Sequence, residues 1–262
     1  MDKQDKHTII IQGHFDFELW GLAVHPSKPE FATVGEDFLL AKWSIANRKQ
    51  ISHVQLEFQG KVIDYNNSGT KLAVGCKNGR VLIIDANTLK KESEITGRTK
   101  EISEIKFSPD DSKIAVGAHD SRIYLYDTIT YKRLAICKGH HSTITHIDWS
   151  VDSQCLESNC TSYELLYWTA VNGKQNTSGA SANRDEKWAT WTCTIGWPAQ
   201  GIWPPCADGS DVNAVSRNKL GTILATADDF GLVKLFKYPV AEKQAAFQKF
   251  IGHSSHVTNV RF

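Results

Sequence analysis

A pattern of 13 residues recurs through the chain, and its spacing leaves few architectures open. FATVGEDFLLAKW (31–43), LAVGCKNGRVLII (72–84), IAVGAHDSRIYLY (114–126), LESNCTSYELLYW (156–168) and LATADDFGLVKLF (224–236) align without a gap. Their last residues, Trp43, Ile84, Tyr126, Trp168 and Phe236, lie 41, 42, 42 and 68 positions apart, so only the final interval carries an insertion. That insertion exceeds the period by about 26 residues and falls near 180–209. A fixed period of this length marks a supersecondary unit that buries its apolar face only against its neighbours.

Each copy reads as a β-hairpin: small and β-branched residues, a polar turn such as KNG or HDS, then alternating apolar residues. A further strand-like run precedes each copy (LWGLAVHP, KVIDYNNSG, ISEIKFSPDD, ITHIDWSVD, VNAVSRN), and a fourth follows, for example KRLAICKG. Four antiparallel strands every 40 to 45 residues, with Gly-His ahead of the first, resemble the WD-repeat β-propeller, an all-β fold. Blades of that type tie their turns together through a buried Trp–Ser/Thr–His–Asp chain. His14, Thr33, Asp37 and Trp43 stand at all four positions in the first copy. His140, Trp168 and His253 fit single positions, whereas Val74, Val116 and Ser162 break the pattern, so the other blades are expected to rely on packing.

The expected organisation is a polar tail over 1–6 and an incomplete propeller over 7–262, with five complete blades flanked by partial ones. HTIII (7–11) reads as the outer strand of one blade and HVTNVRF (256–262) as the innermost strand of another, which predicts an open arc belonging to a larger propeller.

Charge narrows the function. Thirty Lys and Arg against 29 Asp and Glu, without a long basic run, argue against bulk-charge binding of nucleic acid or an anionic membrane. No apolar run approaches a membrane span, and the N-terminus has no signal-peptide h-region. Lys90, Lys91, Arg98 and Lys100 are interleaved with Glu92, Glu94 and Glu101, which predicts a mixed solvated surface. The six cysteines form no Cys-x-x-Cys pair and read as buried thiols. His140, His141 and His146 cluster without a convergent carboxylate in the sequence, so no metal or cofactor site is assigned. GxSxG, P-loop, HExxH and dinucleotide fingerprints are absent, and the expectation is a protein without enzymatic activity. A propeller enzyme would instead require carboxylates or histidines of perturbed pKa converging in the central channel.

More specific wording lies in GHFDFELWGLAVHPSKPEFATVGEDFLLAKW, in the Trp-rich WATWTCTIGWPAQGIWPPCADGSDVNAVSRN and in the Asp228-Asp229-Phe230-Gly231 turn. With these the chain resembles the second propeller of the echinoderm microtubule-associated-protein-like family. The resemblance implies a scaffold that binds tubulin or microtubules in the context of the full-length protein, or a ciliary or axonemal scaffold for other cytoskeletal proteins, in the cytoplasm and without a cofactor. The candidate protein-binding residues are Trp197, Ile202, Trp203, Pro204 and Pro205, since aromatic and proline-rich loops suit stiff interfaces. Trp188 and Trp191, in a strand-like run, are expected in the core.

Overall fold

The computed structural model describes residues 13–262. The expected outer strand at 7–11 lies outside them. The first sheet holds β1 (Leu19–Val24), β2 (Glu30–Gly35), β3 (Leu39–Ser44) and β4 (Lys49–Gln55). The second holds β5 (Gly60–Tyr65), β6 (Lys71–Cys76), β7 (Val81–Asp85) and β8 (Lys91–Ile95), and the third β9 (Ile102–Phe107), β10 (Lys113–Ala118), β11 (Arg122–Asp127) and β12 (Arg133–Lys138). The fourth is β13 (Ile144–Trp149), β14 (Cys155–Cys160) and β15 (Leu165–Thr169). After a four-residue helix, α1 (Gly179–Ala182), the fifth follows as β16 (Val212–Arg217), β17 (Ile223–Asp228), β18 (Leu232–Lys237) and β19 (Phe247–Ile251). All five are antiparallel meanders in chain order.

The repeat is visible in the backbone itself. Phe38, Gly79, Ser121, Tyr163 and Gly231 occupy the same place in the central hairpin, and all five have φ between 60° and 82°. Arg48, Leu89, Tyr131 and Gly173 likewise share a left-handed position in the next turn. A side chain in this region costs roughly 1 kcal/mol against glycine, so the fold imposes the geometry even where the sequence does not favour it.

Packing is between blades. Val34, Leu40, Ile63, Leu72 and Leu82 fill the first interface, and Val81, Ile83, Ile102, Ile105 and Ile114 the second. The third holds Ile123, Leu125, Ile147, Trp149 and Trp168. Innermost strand β1 packs on β5, β5 on β9 and β9 on β13.

Two expectations are corrected. The fourth blade is not a complete four-stranded unit: its outer strand is reduced to a bridge from Trp168 to Gln175, because the chain turns at Gly173 and runs into α1 and the insertion. Nor is the arc open at its innermost layer. Residues 257–262 run between the fifth and first blades. Phe262 N donates to Ser216 Oγ at 3.2 Å on one side, and on the other Thr258 Oγ1 and Asn259 Nδ2 donate to the carbonyls of Leu19 and Trp20 at 2.7 and 2.8 Å. Inner segments therefore surround a central cavity of about 570 Å³.

Candidate functional site

The insertion is built as a wedge. Its Trp-rich run lies between the fourth and fifth blades and is gripped by Asp148 of β13, whose carboxylate accepts from the backbone N–H of Thr192 (2.6 Å) and Cys193 (2.9 Å) and from the Thr190 hydroxyl. Asp64 of β5 accepts from Phe107 N of the next blade at 2.9 Å, so the wedge takes the place a neighbouring blade takes elsewhere. Arg217 at the end of β16 closes the other side: its N donates to Trp191 O, its Nη2 to Trp188 O, and its guanidinium stacks on Tyr238. Trp188 and Trp191 are buried with Val215, Leu224, Phe236 and Val240, as their strand-like run implies.

The expected anchors separate at the next turn, a 3-10 helix over Trp197–Ile202. Pro198 stands in its first turn, where a missing N–H costs no intrahelical bond. Pro198 O accepts from Val240 N, and Gly201 N donates to Val240 O, both at 2.8 Å. A Cβ on Gly201 would meet Glu242 O at 2.1 Å, so only glycine allows this approach. Ile202 is buried in the core and supports the loop instead of facing a partner. Trp203 is half-buried and donates Nε1–H to Thr194 O at 3.1 Å. Trp197 is 63% exposed, and Pro204 and Pro205 are exposed beyond it.

The expected polar chain of the first blade is present. Trp43 Nε1 donates to Thr33 Oγ1 (2.7 Å), Thr33 Oγ1 meets His14 Nε2 (2.8 Å), and His14 Nδ1 meets both oxygens of Asp37 (2.9 Å). Packing does not replace this chain in the fourth blade. Trp168 Nε1 donates to Ser158 Oγ (2.8 Å), Ser158 meets His140 Nε2 (2.7 Å), and Glu164 supplies the acid that Ser162 lacks, with Oε2 3.2 Å from His140 Nδ1. Sequence alignment misses Glu164 because it sits two residues past the usual acid. Burial alone would raise its carboxyl, but hydrogen bonds from Cys160, His141 and His140 outweigh that and hold it at about 2. His253 does not join such a chain: it is exposed, and His256 instead pairs with Asp229 at 2.8 Å. In the fifth blade Asp228 accepts from the N–H of Phe230 and Leu232 and pairs with Lys234 at 2.7 Å.

The central cavity carries charge. Lys61 lies over the Trp20 ring and pairs with Glu36 at 3.2 Å and Glu101 at 3.7 Å. Burial raises the Glu104 carboxyl and lowers the His146 imidazole to about 4. Among the described residues neither side chain is hydrogen-bonded to a hydroxyl or thiol, the pairing that activates a nucleophile. On the outer surface Lys91 pairs with Glu57 at 2.9 Å and Arg98 stacks on Tyr124 and Tyr126, so two of the four cations in the most basic stretch are engaged within the protein.

A family model described as the echinoderm microtubule-associated protein second beta-propeller matches residues 19–262. The chain belongs to this family. It is 44% identical to echinoderm microtubule-associated protein-like 2 of Rattus norvegicus, over 97% of this chain and 40% of that protein. It is 40% identical to echinoderm microtubule-associated protein-like 3 of Homo sapiens and 42% identical to echinoderm microtubule-associated protein-like 1 of Mus musculus, again over 97% of this chain and over 29% and 32% of those proteins. The chain thus spans less than half the length of these relatives. Among the described residues no helix is long and apolar enough to cross a membrane.

Proposed function

We propose that this propeller, spanning 7–262, is a non-catalytic docking platform of the microtubule cytoskeleton and that its wedge insertion meets tubulin. The reading rests on the microtubule-associated names of the relatives and on one feature of the surface, the exposed Trp197 ring on a fastened helical turn. A large ring carried on a backbone already fixed before binding leaves only its side-chain freedom to lose on docking, and such residues dominate interface energies. Pro204 and Pro205 would extend the contact, with Ile202 and Trp203 holding the loop from below.

Co-pelleting with microtubules and co-elution with soluble tubulin test the reading. Trp197→Ala should weaken binding by about tenfold or more, the scale of an interface hot spot, with an unchanged circular dichroism spectrum. Trp203→Ala is the poorer probe, because it also removes a hydrogen bond within the loop. Binding that Trp197→Ala leaves intact would place the contact elsewhere, and no binding by the wild-type chain would remove the tubulin role from this propeller.

A further inference from the structure

The sequence offers histidines at 140 and 141 without a carboxylate, and the fold supplies one. Glu164 Oε2 lies 3.2 Å from His140 Nδ1 and 3.1 Å from Cys160 Sγ, while Glu164 Oε1 lies 2.5 Å from His141 Nδ1. The ligand atoms of His140, Cys160 and Glu164 all fall within 4.8 Å of one another. In the first blade the corresponding acid, Asp37, has only His14 from this set, because Phe15 stands where His141 stands and Gly35 where Cys160 stands. The hydrogen-bonded blade chain requires neither substitution. Both added residues are metal-binding types, and both turn toward the same carboxylate.

We propose that His140 Nδ1, His141 Nδ1, Cys160 Sγ and Glu164 form a binding site for a divalent transition-metal ion of the zinc class. Thiolate, imidazole and carboxylate together suit zinc or cobalt and disfavour magnesium or calcium, which take oxygen ligands. A tetrahedral zinc with bonds of roughly 2.0–2.3 Å keeps its ligands about 3.3–3.6 Å apart, so the His140, Cys160 and Glu164 atoms, within 4.8 Å of one another, close on an ion by side-chain rotation, and the exposed His141 ring, already against Glu164, turns in as the fourth ligand. On loading, the Cys160 thiol loses its proton to solvent and becomes a thiolate. Each histidine carries its single proton on Nε2, which for His140 is donated to Ser158 Oγ, leaving the Ser158–Trp168 link in place. The only ion pairs of Glu164 among the described residues are with these two histidines, so no Lys or Arg charge opposes the ion. Access is open: the His141 side chain is 80% exposed, and Cys160 lines the central cavity. A bound ion would fasten the β14–β15 turn to the segment leading into β13.

Calorimetry with Zn²⁺ and absorption spectroscopy with Co²⁺, on the 262-residue chain carrying Cys206→Ser to remove the exposed thiol, test the site. One equivalent should bind, with a thiolate-to-cobalt charge-transfer band, and zinc should raise the melting temperature. Cys160→Ala should abolish the band. His141→Ala, an exposed position outside the blade chain, should weaken binding by about tenfold or more and remove the thermal shift. Cys193→Ser, in a separate buried group with Asp148 and Glu157, should change nothing. Absence of the band in the parent, or full affinity in His141→Ala, overturns the assignment.

Discussion

Glu157 shows what one buried carboxyl costs this fold. It lies directly across β13–β14 from Asp148, fully buried, and neither of its carboxylate oxygens has a hydrogen-bond partner. Burial, and then the Asp148 charge, push its pKa well above that of an ordinary glutamate. The folded state therefore holds a proton that the unfolded chain releases above about pH 4.5. Stability attributable to this group is highest in acid and falls as pH rises from the unfolded pKa toward the folded one. Glu157→Leu should raise unfolding stability at pH 8 by about 1–3 kcal/mol, and the gain should shrink toward pH 4. Urea unfolding at pH 4, 6 and 8 measures it. An equal effect at every pH, or a loss at pH 8, would contradict the assigned cause.

At the scale of elements, the wedge divides into a buried half and a presented half, and the two should respond differently to truncation. Trp191→Ala empties a core position between blades and should cost about 3–5 kcal/mol. Trp197→Ala should change stability by less than about 0.5 kcal/mol. Thermal unfolding of the two variants distinguishes them, and a large loss from Trp197→Ala would mean that its ring packs on the protein. Much of this division is legible in the sequence, because Trp188 and Trp191 fall in an alternating run whereas Trp197 sits beside Pro198. The burial of Ile202 is not: it depends on the backbone pairing of 198–201 with Val240, which no local pattern encodes. Glu164 escaped for a similar reason, since a longer side chain two residues later reaches the place where the repeat calls for aspartate. The wasted outer strand of the fourth blade follows from the same insertion, which draws the chain away after Gln175.

For the molecule as a whole, the repeat period specified the blades, but closure depends on contacts 239 residues apart, between Thr258 and Leu19 and between Asn259 and Trp20. Inner strands around the cavity, a wedge between the fourth and fifth blades and a C-terminal segment between the fifth and first make one platform, on which the Trp197 turn is carried at a fixed place. Hydrogen–deuterium exchange of the chain with and without tubulin tests that account most directly. Protection concentrated over 196–206, with little change in the inner strands, is the predicted result. Tubulin-dependent protection elsewhere, with 196–206 unaffected, would contradict it.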